Sequence, residues 1–400
     1  MHRAFPPFWQ TAWRMSRGGR RRGARRAGEP ARQGPGPVRS LRPRTPLRGA
    51  LALLGAGCLL AGCASAHPDT AKNGAKTTTS STPSTSTSPP SPAADEATTG
   101  PDCPLTGTPA PHGTVPDRSA LAVKVDNYPT ARPQSGLTAA DIVFEEPVEG
   151  GITRYVAVFQ CRGTSVVGPV RSARNIDIGI LGEFGHPLLV HVGGIQPVIN
   201  NILASPINDF ELGDYTTSIV QHPPGRVAPY DTYTSTTAVW QMRPTATDVP
   251  QPVFTYTSAV PAGSPVSTVS IPFSSYSPVV WKYDKKTRTF LRFYNTTPDV
   301  LSNGVQNSAS NVIVQFVHIY YGPWVENSEG ALEVQANLAT HASGKAIVLR
   351  NGVAISGQWS RASLTQPTSF TTTSGQPITL QPGTTWVELV PTTVSVTTTP

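Results

Sequence analysis

The sequence is poor in cysteine, with four in 400 residues, and it has no obvious apolar run of the ~20 residues that cross a bilayer as a helix. It also lacks the spacings that announce common chemistries. There is no His-Glu-x-x-His or Cys-x-x-Cys to hold a metal, no Gly-x-Ser-x-Gly elbow, no P-loop and no dinucleotide fingerprint. Neither a metal nor a cofactor is therefore expected. The formal net charge of +8 suggests a nucleic-acid partner until its distribution is examined. Residues 1–62 hold thirteen arginines and one acid, Glu29, which leaves 19 basic and 23 acidic side chains beyond them, a net −4. The positive charge belongs to the N-terminal segment, and no nucleic-acid partner is expected.

What is present begins with an export signal. The arginine-rich stretch leads into Ala50–Ala61, an apolar run of signal-peptide length, and then into Leu60-Ala61-Gly62-Cys63, which resembles the bacterial lipobox. Residues 1–62 are read as a signal peptide and Cys63 as the lipidated residue, so the expected partner is a lipid bilayer and the expected location the extracytoplasmic face of the cell membrane. A plain secretory leader is the alternative. Residues 63–114 form the anchor and a tether rich in Thr, Ser and Pro, which cannot bury enough apolar surface to fold. Some 40 to 50 such residues would reach on the order of 35 to 40 Å and lift the folded part into the wall. Cys103 and Cys161 remain as an even pair in an oxidising compartment, a candidate disulfide or two separate thiols.

Residues 115–245 read as an α/β domain with a mixed sheet and helices. Leu121–Asp126, Ile142–Phe144, Ile152–Gln160 and Pro187–Val192 have strand patterns, with a further strand over Val166–Val170. Ile176, Ile180, Leu181 and Phe184 recur at helical spacing, with Gly185 as the stop, and Ile195–Ala204 reads as a second helix with Ile195, Val198, Ile199, Ile202 and Leu203 inward. A Pro-rich stretch follows, and residues 252–391 read as a mostly antiparallel β domain. Its strongest turn signal is Asn351-Gly352, and Asn311–Tyr320 reads as one long strand.

The stretch Gly168–Arg174, Gly-Pro-Val-Arg-Ser-Ala-Arg, organises the functional reading. It places Arg171, Ser172 and Arg174 at a turn before a helix, where free N–H groups and guanidinium groups make an anion site. Arg154 joins them, with Arg132 a weaker candidate. Asp126, His191 and the Gly193-Gly194 loop fall at strand ends where ligands gather in such sheets. The alternative is that the arginines pair with Glu145, Glu146 or Asp177 and merely hold the loop. His191 is a candidate general base beside Asp126, or a strand-end histidine bonded to a carbonyl. Glu145 and Glu146 point to opposite faces of one strand and so do not make a catalytic pair. Trp281, Trp324, Trp359 and Trp386 are either core residues or a sugar platform.

Several segments, in order, resemble the YerB-like bacterial lipoprotein family. They include Ala122-Val123-Lys124-Val125-Asp126-Asn127, Ala131-Arg132-Pro133-Gln134-Ser135-Gly136-Leu137, Gly168–Arg174, His191-Val192-Gly193-Gly194 and Trp281-Lys282-Tyr283-Asp284. The resemblance spans about Pro116–Pro391 and implies a two-domain extracytoplasmic lipoprotein without an assigned activity. One departure is Tyr230, in Ala228-Pro229-Tyr230, where the family often has His. The expected function is binding of an anionic envelope component, such as a wall polymer, through an arginine-lined cleft. The rivals are an envelope hydrolase or transferase and a transporter's solute-binding lipoprotein.

Overall fold

Strand β1 (Leu121–Asp126) is buried along its whole length because both faces of its sheet are covered, so buried and exposed residues do not alternate and even Lys124 and Asp126 lie inside. The computed structural model describes residues 100–214 and 219–400; the leader, Cys63 and most of the tether lie outside them. In the N-terminal mixed α/β part, β1 is followed by β2 (Ile142–Pro147), β3 (Thr153–Phe159), α1 (Ile176–Leu181), β4 (Leu188–His191), α2 (Gln196–Leu203), β5 (Asn208–Glu211) and α3 (Thr236–Met242). β3 pairs antiparallel with both β1 and β2, while β1–β4 and β4–β5 are parallel.

The C-terminal part is mostly antiparallel β. β6 (Thr268–Pro272), β7 (Pro278–Asp284) and β8 (Thr289–Tyr294) form the middle of a second, six-stranded sheet. β9 (Asn311–Val317), β12 (Ala342–Arg350), β13 (Val353–Arg361), β14 (Ser369–Thr372) and β15 (Thr385–Pro391) extend the first sheet. β10 (Ile319–Val325) and β11 (Leu332–Ala336) pair only with each other. The first sheet therefore runs β14-β13-β12-β9-β15-β2-β3-β1-β4-β5, with the last long strand of the chain seated parallel between β2 and β9. Both parts of the chain share this sheet.

Two apolar layers cover it. Ala122, Val156, Leu189 and Val387 pack with Ile176, Ile180, Val198 and Ile202 of α1 and α2. Val123, Val125, Tyr155 and Trp386 pack on the other face with Trp281 and Phe290 of the second sheet and Val239 of α3. Cys103 and Cys161 are bonded, with Cα atoms 6.0 Å apart, so the segment that precedes β1 is tied to the end of β3.

Local signals account for several elements. Asn351 and Gly352 both take positive φ and turn β12 into β13. α1 continues as a short 3-10 turn over Gly182–Phe184 and ends at Gly185, whose φ is +77°. Three expectations need correction. Val166–Val170 is no strand; it makes only isolated bridges, since Pro169 has no N–H to donate and Gly168 has φ +150°. Leu203 lies outward, 63% exposed, while Val198 and Ile202 face the sheet. The expected strand over Asn311–Tyr320 divides at His318, the residue between β9 and β10.

Candidate functional site

The loop Gly168–Arg174 does lie where several strand ends meet. Val170 bridges Val125, the Arg171 N–H donates to the Lys124 carbonyl at 2.9 Å, and Val192 and Ala173 exchange backbone hydrogen bonds with Arg171 and Gly193. This stitches the loop between the end of β1 and the turn after β4, with Gly193 (φ +72°) making that turn. Asp126, Arg154, Arg171, Ser172, Arg174, His191 and Gly193 are thus brought to one end of the sheet.

Most of them do not face solvent. The Arg174 guanidinium is buried and grips both Glu149 oxygens, with Glu326 at 3.2 Å. Arg154 is buried as well, contacts Glu149 at 3.5 Å, and donates to the Ser172 carbonyl at 3.2 Å. Burial favours neutral groups on both sides of this network, but the Arg174 and Arg154 charges win at Glu149 and hold its carboxyl down at about 2. Burial and the neighbouring Arg174 lower Arg154 to about 10. These two arginines are structural ion pairs and do not line a cleft.

The proposed anion site at the helix N-terminus is also corrected. The Arg174 N–H donates to Asp177 Oδ2 at 2.7 Å and the Asn175 N–H to Glu333 Oε1 at 2.8 Å. Side-chain carboxylates already hold the donors that an anion would need.

His191 is fully buried. Its Nε2 lies 2.8 Å from Asp209 and its Nδ1 2.9 Å from the Gly193 carbonyl, with Glu211 at 3.2 Å. Burial works against the imidazolium, but the Asp209 hydrogen bond and the Glu211 charge outweigh it and raise the pKa. Its contacts are with Asp209, Glu211 and Gly193, so it is not a base beside Asp126. Gly193 in turn donates its N–H to Glu211 at 2.7 Å. Gly194 packs against the end of the Ile199 side chain, which would have to shift to admit a side chain there.

Arg171 is the arginine of the loop that reaches the surface, with 26% of its side chain exposed. Its Nε lies 2.7 Å from Asp126 Oδ2, while Oδ1 of the same carboxylate accepts the Tyr128 N–H at 2.8 Å. Its guanidinium stands 5.7 Å from the Tyr230 ring. Tyr230 is parallel to Tyr128 at 6.4 Å, and Tyr276 lies 5.6 Å from Tyr128. Arg132 and Arg226 lie on nearby loops, with the Arg132 guanidinium 3.5 Å from the Tyr294 ring and that of Arg226 5.9 Å from the Tyr233 ring. Arg132 donates to the Asn127 and Tyr276 carbonyls at 2.8 Å. Arg226 donates to the Ala131 carbonyl at 3.2 Å and to the Pro133 carbonyl.

Sequence reasoning missed this arrangement, because its rings come from three separate loops. The one available signal was Tyr230, where the expected family residue is His. The large tryptophans are no sugar platform: Trp281, Trp359 and Trp386 are core residues, and Trp324 is half-buried.

A concavity of about 770 Å³ opens elsewhere, where β4 and β5 begin, lined by Ser119, His186, Asn208, Asp209, Arg243 and Asp248 among others. His186 and Asp248 pair across it at 2.8 Å. It contains none of the residues singled out in the sequence.

The family model described as "Protein of unknown function (DUF3048) N-terminal domain" matches residues 105–248, and its C-terminal counterpart matches residues 269–387. A Bacillus subtilis (strain 168) protein called "Putative lipoprotein YerB" is 28% identical over 298 residues, which is 72% of this chain and 86% of that protein. The crystal structure of YerB protein from Bacillus subtilis superimposes with a TM-score of 0.63 at 24% identity, over 74% of this chain and 99% of that one, a likeness of fold.

Proposed function

Because this chain belongs to the DUF3048 family, and a relative in it carries the name of a lipoprotein, we propose that it is an extracytoplasmic lipoprotein that holds an anionic component of the cell envelope. In this reading residues 1–62 are removed on export, Cys63 carries the lipid, 63–114 is the anchor and tether with its last residues drawn onto the fold by Leu105 and the Cys103–Cys161 bond, and the folded parts are 115–245 and 252–391. The ligand meets the surface beside Arg171, with Ser172 at the same loop and Arg132 and Arg226 close by.

One observation carries the binding side of this proposal. Three guanidinium groups gather at one edge, and Asp126 is the one carboxylate paired with them among the described residues. Arg132 and Arg226 spend their N–H groups on carbonyls, which leaves their charge uncancelled. An arginine that already has a planar hydrogen-bonding frame loses little freedom on taking a carboxylate or phosphate. The hydrolase reading has less support, since His191 is buried away from Asp126.

The test is retention of the purified protein on envelope wall fragments before and after removal of their anionic polymers. Arg171→Ala lowers retention about fivefold or more at low salt, and raising salt weakens the parent's retention, as expected for a partly exposed cation. Equal retention by parent and variant would remove the basis for the anion site.

A further inference from the structure

We propose that the ligand at this edge is an acidic glycan, whose sugar rings lie on Tyr128, Tyr230 and Tyr276 while its carboxylate or phosphate groups meet Arg171, Arg132 and Arg226. The inference rests on the anion-binding reading above and specifies its ligand.

Three features support it. The rings form one cluster: Tyr230 and Tyr128 are stacked with centroids 6.4 Å apart and planes 7° apart, and Tyr276 is tilted by 42° from Tyr128. Tyr276 is 41% exposed, and the other two are half-buried, so ring faces remain at the surface instead of being spent on the core. The hydroxyls of Tyr128 and Tyr230 are not among the buried polar atoms left without a partner, so a partner's hydroxyl groups would replace water there. A platform of ring faces and hydroxyl groups suits a partner that brings both C–H faces and hydroxyl groups.

The charge pattern narrows the partner further. A neutral glycan has no use for three guanidinium groups, and an inorganic polyanion has no use for the aromatic faces. A sugar polymer bearing acidic groups uses both. Its acid can be a uronic carboxylate or a bridging phosphate, since a guanidinium attracts either through its charge and its remaining N–H groups. The loops fix the platform in place: Arg226 ties the 226–230 turn to the Ala131 and Pro133 carbonyls, and Arg132 ties Asn127 to Tyr276.

The experiment compares four probes on the whole protein: a uronic-acid polysaccharide, a sugar-phosphate polymer, inorganic polyphosphate and neutral dextran. Tyr230→Ala is expected to weaken an acidic glycan about tenfold while polyphosphate binding changes by less than about twofold. Arg171→Ala is expected to weaken both. Tyr230→Phe keeps the ring and retains most of the affinity, which separates stacking from a folding defect. The uronic and phosphate arms show which acid is preferred.

If Tyr230→Ala and Tyr276→Ala leave acidic-glycan affinity unchanged while Arg171→Ala still lowers it, the glycan assignment is overturned and the anion site stands. If dextran binds as tightly as the acidic polymers, the acid requirement is overturned. If Arg171→Ala alters neither charged class, the underlying reading fails as well.

Discussion

Replacing Glu146 with glutamine tests how the core of the sheet handles charge. Glu146 and Asp177 both contact the fully buried ammonium of Lys124, Asp177 at 2.6 Å. One cation cannot satisfy two buried carboxylates. Burial, followed by the Asp177 charge, pushes Glu146 up to about 8 even though Lys124 pulls the other way. A carboxyl raised from 4.5 to about 8 takes up a proton on folding between those values. Its contribution to stability is full below pH 4.5 and is lost as pH rises through about 8. One proton corresponds to a slope of up to about 1.4 kcal/mol per pH unit, or as much as about 3 kcal/mol between pH 5 and pH 8. Glutamine resembles the protonated acid and does not titrate. Glu146→Gln should therefore stay within about 1 kcal/mol of the parent at pH 5 and gain on it steadily towards pH 8. Glu388, raised by burial and the neighbouring Glu145 charge, and His191, raised above its ordinary value, act in the same direction, so part of the slope persists. Below pH 4.5 the sign reverses, because Glu149 is held down at about 2 and its stabilisation disappears as pH falls. Urea unfolding of parent and variant across pH 4 to 8 measures these slopes. If the variant is 3 kcal/mol weaker at pH 5 and its slope is unaltered, Glu146 is ionised in the native protein and this reasoning is wrong.

Two other predictions concern the ends of the folded region. Reducing the Cys103–Cys161 bond, or making Cys103→Ser, frees a loop with a sequence separation of 58 and should cost about 4 kcal/mol by chain entropy, read as a lower urea midpoint under reducing conditions. In a bacterial host that exports and lipidates it, Cys63→Ala should move the protein from the membrane fraction to the soluble fraction; membrane retention of the variant would argue against the lipid anchor.

Local rules were legible. The apolar residues of β1 mark a buried strand, the Asn351-Gly352 pair announces its turn, and the helix of Ile176, Ile180 and Leu181 stops at Gly185. These depend on period and on backbone freedom, which neighbouring residues display. The sharing of one sheet was not legible. The parallel placement of β15 between β2 and β9 joins residues more than 200 apart, and no local pattern states which apolar strand takes an open edge.

The same division applies to the site. The amino-acid order alone placed Arg171, Ser172 and Arg174 on one turn just before a helix, because the spacing of Ile176, Ile180 and Leu181 announces that helix. It could not say which guanidinium would be buried. The tertiary structure decided that when it brought Glu149 and Glu326 onto Arg174, left Asp126 to Arg171, and gathered three tyrosines from loops 128, 230 and 276. A charge in the chain names only what it can attract; the desolvation and partners that fix its role come from residues that meet it after folding.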